Sequence, residues 1–287
     1  MERLCIETEK FFNILNSILS TLDINEILTT VVREIQTILS AERCTLYVID
    51  KEHNELYSKV LQADDLVEIR VSINKESLAG YTALTGRIIN IKDAYDDSEL
   101  KAIDRELGFD RSWDEKSGYR TKSVLVMPIP LTTKSDIIGV FQALNKPGGF
   151  SKFDLETMEQ LAYLLGIALN NAILYRAIDE EKKLRGYIID DIDEGICILD
   201  TKRRIISANK FLEVMSGMRY TSEAMVGESF FDLFPNFADT QLEEKINEVF
   251  LYGFKKIALL EVLEIKIIPY LDDAGRVKRL ILIFTRV

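Results

Sequence analysis

The sequence predicts two α+β units joined by one long helix. Three observations lead there. A length of 287 residues, with 47% hydrophobic and 29% charged side chains, is enough for two ordinary domains and their cores. Strand patterns and helix patterns alternate in blocks: residues 67–73 (VEIRVSI) switch apolar and polar at every step, whereas from Asp154 a helical period runs for over thirty residues. After that helix the order is a hairpin, several short helices and three strands, an α+β arrangement.

Leu4, Phe11, Leu15, Ile18 and Leu22 recur at helical spacing, so residues 1–22 are expected to form an amphipathic helix. Asp23 followed by Glu26 marks the cap of a second helix ending at Leu39. Cys44 to Asp50 is rich in β-formers and precedes a turn near His53-Asn54. A short helix is expected from Ser77 to Gly86, then a strand from Ile88 to Ile91. Asp93 to Tyr119 is acidic and long for a connection, as binding lids often are. Lys122 to Leu131 and Ile137 to Leu144 read as strands around the polar turn 132–136.

In the long helix Met158, Leu161, Leu165, Ala168, Ala172 and Tyr175 step by three and four, a heptad seam. Two readings stay open: a parallel dimer through this seam, or a helix that packs on its own domain. The second unit starts with a hairpin (195–200 and 203–207) and continues with helices over 209–215, 221–226 and 240–252. Strands over 255–261, 263–271 and 277–287 close it, the last two joined by the turn sequence Asp272-Asp273-Ala274-Gly275.

A net charge of -11 opposes binding to nucleic acid. Three cysteines (Cys5, Cys44, Cys197), odd in number and without CxxC spacing, form neither a disulfide framework nor a zinc site and suit a reducing, cytoplasmic setting. No stretch is expected to reach the ~20 apolar residues of a membrane span, and the N-terminus lacks the pattern of a signal peptide. Catalytic constellations are missing as well. The one histidine, His53, sits in a turn, and no GxxxxGK[ST] or GxGxxG loop is present. The chain therefore reads as a regulatory segment and not an enzyme, with no metal and no catalytic cofactor.

Three stretches carry a family resemblance: Asn90-Ile91-Lys92-Asp93-Ala94-Tyr95, FDRSWDEKSGYRT from Phe109 to Thr121, and Ser123 to Ile129. Together they resemble GAF domains, most closely the cyclic-nucleotide-binding subgroup of phosphodiesterases and cyanobacterial-type adenylate cyclases. That subgroup carries an N-K-x(n)-F-x3-D-E motif; Asn145, Lys146, Phe150 and Asp154 fit it, with Leu155 in the glutamate position and Glu156 one place later. The resemblance spans roughly residues 20–176 and implies a GAF domain over 23–153 followed by a connecting helix over 154–190.

In that family Lys146 and Asp154 form an ion pair that braces the pocket; the local pattern also reads as a turn with Asp154 capping a helix. The pocket positions implied are Thr45 and Gln62 facing the base, Leu61 packed on it, and the N–H groups of Leu78 and Ala79 at the cyclic phosphate. Asp110, Asp114, Ser117 and Thr121 line the lid side, and Gln142 the floor. Two features depart from the family: extra residues near Glu99–Gly108 in the lid, and Gln62 where some relatives use an acid. The implied ligand is cyclic AMP in preference to cyclic GMP, because the resemblance leans to adenylate cyclases.

Residues 193–200 (DEGICILD), 205–209 (IISAN) through Gly217, and Val226-Gly227-Glu228-Ser229 to Phe234-Pro235 resemble PAS domains, implying a PAS unit over 191–287. Its flavin-binding variety needs a reactive cysteine in a particular helix, which is absent; Cys197 reads as a core residue, and Cys44, with no neighbouring histidine, as no attachment point for a bilin. GAF and PAS domains commonly precede an output domain. The expectation is a homodimeric relay to an adenylate cyclase beyond Val287, with histidine kinase, diguanylate cyclase or phosphatase as alternatives, and with an empty GAF dimerisation module as the rival reading.

Overall fold

The computed structural model describes residues 13–14, 16–62, 65–131, 136–260 and 262–286, the side chains of residues 60–62, 65 and 66 excepted. Most of the expected first helix lies outside the described residues; residues 16–20 are helical. The chain divides into two compact units, residues 1–178 and 179–287.

In the first unit Asp23 caps α1 (Ile24–Glu26), its carboxylate accepting the Asn25 N–H at 2.8 Å. A π-helical turn over Ile27–Val31 follows and passes directly into α2 (Val32–Leu39), which ends on left-handed Ser40. Then come β1 (Arg43–Asp50), β2 (Glu55–Gln62), β3 (Asp65–Ser72), α3 (Leu78–Thr85), β4 (Ile89–Ile91), α4 (Asp97–Ile103), α5 (Ser112–Ser117), β5 (Val124–Pro130) and β6 (Ile137–Leu144). The strands form one antiparallel sheet in the order β3-β2-β1-β6-β5-β4. Side chains alternate between its faces. Leu46, Val48, Leu125, Met127, Phe141 and Ala143 pack with the N-terminal helices and the start of the long helix α6 (Lys152–Asp191). Tyr47, Leu56, Val124, Val126 and Val140 pack on the other face with α3 and the segment after β4.

Residues 93–119, expected as an open connection, hold the two short helices α4 and α5. The extra residues of this stretch pack down: Leu100 and Leu107 are buried, Gly108 donates its N–H to the Lys75 carbonyl at 2.8 Å, and Lys75 pairs with Asp104 and Glu106.

The heptad seam needs a correction. Met158, Leu161, Leu165, Ala168 and Ala172 are buried in the first unit's own core, against the sheet, and only Tyr175 among the seam residues is exposed. At Gly166 the approach is so close that a Cβ would lie 1.9 Å from the Pro130 carbonyl oxygen. The three-four spacing records helix-on-sheet packing. Further, this helix meets the length and composition of a membrane span, with a mean hydropathy of 1.4 over its most apolar window, contrary to the expectation that no stretch would. Its uncharged run from 160 to 175 is long because so many of those residues fill this core.

The second unit contains the end of α6, then β7 (Gly195–Leu199), β8 (Ile205–Ala208), α7 (Lys210–Met215), α8 (Ser222–Met225), α9 (Phe230–Leu233), α10 (Gln241–Tyr252), β9 (Lys256–Leu260), β10 (Leu263–Leu271) and β11 (Val277–Arg286). The sheet order is β8-β7-β11-β10-β9, all antiparallel. Phe230, Phe234, Phe237 and Phe284 stack in its core with ring centroids 5.2–6.3 Å apart. Buried Asn209 joins α6 to the sheet: it accepts the Ile196 N–H and donates to the carbonyls of Ile189 and Glu194.

Candidate ligand site in the first unit

The site begins with a parting of two strands. β2 pairs with β3 along its whole length but with β1 only where Tyr57, Leu56 and Glu55 meet Val48, Ile49 and Asp50. Over Arg43–Tyr47, β1 pairs with β6 alone. A cavity of about 600 Å³ opens at this parting, within the usual size for small-molecule sites. It is lined from both faces of the sheet: Thr45, Tyr47, Gln142 and Leu144 from one, Leu28, Thr29, Val32 and Cys44 from the other.

Eight of the ten expected pocket residues line this cavity: Thr45, Leu78, Ala79, Asp110, Asp114, Ser117, Thr121 and Gln142. Thr45 and Gln142 are direct cross-strand partners. Leu61 and Gln62 end β2, and their side chains lie outside the described residues. At α3, Ser77 caps the helix, taking the Gly80 N–H on its hydroxyl at 3.1 Å and the Tyr81 N–H on its carbonyl at 2.8 Å. The N–H groups of Leu78 and Ala79 are then the first two of the helix and have no acceptor within it. Such N–H groups, with the helix dipole behind them, attract an anion.

Asp110, Trp113, Asp114 and Ser117 sit at helical spacing and form the cavity-facing side of the lid around α5. Asp114 is 6% exposed and accepts three hydrogen bonds: Thr121 N–H at 2.7 Å, Thr121 hydroxyl at 2.8 Å and Tyr95 hydroxyl at 3.1 Å. Its carboxylate is thus engaged in tying α5 to Thr121 and Tyr95.

The motif residues form the frame around the cavity. Asn145 has left-handed backbone (φ 55°), receives the Lys122 N–H, and donates to Glu42 and to the Arg120 carbonyl. Glu42 also accepts the Tyr119 hydroxyl at 2.8 Å; the bonds from Asn145 and Tyr119 hold its carboxyl below the usual range. Partial burial, aided by the bond to Glu42, pushes the Tyr119 phenol up, and Arg43 stacks on that ring at 3.7 Å. Lys146 Nζ lies 2.6 Å from Asp154 Oδ1, while Ser151 caps Oδ2 with its N–H and hydroxyl. Phe150 is buried, and its carbonyl accepts the Asn90 side-chain amide. The ion pair is present, but the expected cap is shifted: α6 starts at Lys152 and Ser151 is its cap, taking the Asp154 N–H on its hydroxyl at 3.3 Å, so Asp154 sits in the first turn and bonds back to Ser151.

Sequence reasoning missed Tyr47, Lys59, Ile69, Val71, Phe109, Trp113 and Tyr119 as cavity lining. The alternation over 67–73 does place Ile69 and Val71 on one face, but nothing local signals that β1 and β2 part. Burial pushes the Cys44 thiol up to about 12, which leaves it a poor nucleophile. No cluster of three or more His, Cys, Asp or Glu side chains suited to a metal occurs among the described residues.

Comparison with known proteins identifies the two domains. A GAF domain model matches residues 23–169 and a PAS domain model residues 182–249. A probable 3′,5′-cyclic phosphodiesterase, pde-5, of Caenorhabditis elegans is 32% identical over 163 residues, 52% of this chain and 21% of that protein. A dual 3′,5′-cyclic-AMP and -GMP phosphodiesterase 11 of Drosophila melanogaster is 29% identical over 202 residues, 64% of this chain and 13% of that protein. The chain thus spans only 21% and 13% of these relatives' length. Among solved structures, the GAF domain of a phosphoenolpyruvate-protein phosphotransferase from Coxiella burnetii has 18% identity and a TM-score of 0.48, covering 60% of this chain and 96% of that one. A sensory box histidine kinase from Vibrio cholerae has 21% identity and a TM-score of 0.31, covering 40% and 98%. With its GAF match covering just over half of the sequence, the chain belongs to the GAF family, its GAF domain followed by a PAS domain.

Proposed function

We propose that this GAF–PAS segment is a cytoplasmic sensor that binds a cyclic nucleotide, cyclic AMP in preference to cyclic GMP, in the cavity beside β1. The observation that carries this reading is the convergence on one cavity of an anion-binding helix start (Leu78, Ala79), a polar strand pair (Thr45, Gln142) and a braced lid (Asp110 to Thr121). A cyclic phosphate at the α3 N-terminus would leave the base between the strands and the lid. The relatives' names support a cyclic nucleotide; the preference for cyclic AMP rests on the resemblance to cyclase GAF domains.

The relay runs through α6 in a homodimer, but by a different face from the buried seam. Tyr163, Ile167, Asn170, Leu174, Ala177, Glu181, Leu184 and Ile188 step by four and three along the open side of the helix, with Tyr163, Leu174, Leu184 and Ile188 each more than half exposed. Glu180 and Arg185 flank this stripe on opposite sides, five residues apart, which opposes unlike charges in a parallel pair. Ligand closure of the lid would favour one arrangement of the paired helices and pass through the PAS domain to an output domain, an adenylate cyclase by preference. Such coupling requires the nucleotide to bind the two arrangements unequally. Isothermal titration of cyclic AMP and cyclic GMP into the chain tests the binding claim. Micromolar or tighter binding supports it; no heat with either nucleotide, and an unchanged melting temperature, overturns it and favours a ligand-free dimerisation module.

A further inference from the structure

We infer that Trp113 is the aromatic plate of the lid, covering the planar base of whatever nucleotide occupies the cavity, an inference that rests on the nucleotide reading above. Trp113 is the only tryptophan of the chain, and it lies on the same side of the lid as Asp110, Asp114 and Ser117. Asp114 is buried and bonded and Phe109 is half-buried, yet Trp113 remains 49% exposed while lining the cavity. A large indole that lines a cavity and stays half exposed costs apolar hydration that a bound ring system would relieve.

The lid geometry favours this role. Asp114, the next residue, ties the helix to Thr121 and to Tyr95, so the backbone that carries the indole is fixed from its inner side. Gly118 then ends the helix in the left-handed region (φ 64°), and the chain turns immediately to Tyr119 and Thr121 at the cavity. The indole is thus carried on a fixed stretch of backbone and stays 49% exposed where it lines the cavity. Lys116 Nζ stands over the ring at 5.7 Å from its centroid, at the outer limit of cation–π contact. Stacking between an aromatic side chain and a base is tolerant of base identity, so Trp113 contributes affinity for an aromatic ring and little choice between adenine and guanine. Discrimination then falls to the hydrogen-bonding groups at the strands, such as Thr45 and Gln142.

The test uses the whole chain, with cyclic AMP and cyclic GMP as probes and calorimetry and tryptophan emission read on the same samples. Saturation should quench or shift the Trp113 emission in step with the heat. Trp113→Ala should weaken both nucleotides about tenfold or more, and by similar factors, whereas Trp113→Phe should stay within about threefold. Trp113→Leu, apolar but not aromatic, should resemble Trp113→Ala. Heat without any change in emission, or a Trp113→Ala variant that binds like the parent, overturns the stacking role and leaves the nucleotide reading standing. Absence of heat with the parent overturns both. The emission arm needs no variant, so misfolding of a substituted chain does not shield the inference.

Discussion

Asp114→Ala removes the acceptor that holds the lid, and the cost follows from the three donors it strands. The Thr121 N–H is the severe case: Thr121 is 2% exposed, and its amide reaches only the Asp114 carboxylate, at 2.7 Å. A buried donor left without a partner costs ~1–3 kcal/mol, more when the lost acceptor is charged. The Thr121 hydroxyl, equally buried, adds a smaller loss because it can rotate, and the half-buried Tyr95 hydroxyl can turn to water. The sum is about 3 kcal/mol. Asp114→Asn keeps a carbonyl oxygen for the Thr121 N–H and offers an amide to the Thr121 hydroxyl, so it should lose only about 1 kcal/mol. Urea unfolding followed by Trp113 emission reads this directly, since the only tryptophan neighbours the substitution and reports the first unit. Thr121→Val in a double-mutant cycle should show a coupling of ~1–2 kcal/mol. An alanine variant within about 1 kcal/mol of the parent, with no coupling to Thr121, would refute the assignment of Asp114 as the lid's anchor.

Two further predictions concern the frame and the relay. Burial alone would raise the Asp154 carboxyl, but the bonds from Lys146 and Ser151 prevail and hold it below its ordinary value. A carboxyl more acidic when folded than unfolded stabilises the fold above the unfolded pKa of about 4 and loses that contribution as pH falls through the folded value. Asp154→Asn should therefore destabilise the first unit at pH 7 and flatten its acid limb below about pH 4 in urea titrations. A parent-like acid limb in the variant would contradict the pairing. For the relay, Leu174→Glu with Leu184→Glu should convert a dimer to a monomer in sedimentation without lowering the melting temperature of the first unit. Ala168→Lys should unfold that unit instead, because Ala168 is 3% exposed in its core; an unchanged sedimentation coefficient in the double variant would remove the exposed stripe from the interface.

Much of this architecture was legible because local patterns and global packing agree. Alternation over 67–73, the turn at Asp272–Gly275 and the capping residues Ser77 and Thr240 each place an element whose tertiary role follows. The two helices within residues 93–119 were not legible, since that stretch reads as an open connection. What stayed hidden depends on partners distant in sequence. The seam from Met158 to Ala172 has the same period whether it meets another helix or a sheet, and only the close approach of Gly166 to Pro130 decides between them. The parting of β1 from β2, which opens the cavity, leaves β1 paired with β6 and β2 paired with β3 but not with each other beyond Tyr57. A strand pattern records which face a residue occupies and carries no mark of where pairing stops. The π-helical turn over Ile27–Val31 was equally unmarked, since its buried residues keep a pattern that an α-helix also satisfies.

The most direct test of the central claim is an amide NMR titration of the chain with cyclic AMP, following the N–H resonances of Leu78 and Ala79. A cyclic phosphate seated at the start of α3 predicts saturable shifts of these two amides and slowed exchange with solvent, with smaller changes around Thr45 and Gln142. Resonances of Leu78 and Ala79 that stay in place at saturating cyclic AMP and cyclic GMP would contradict the account, whatever binding is detected elsewhere.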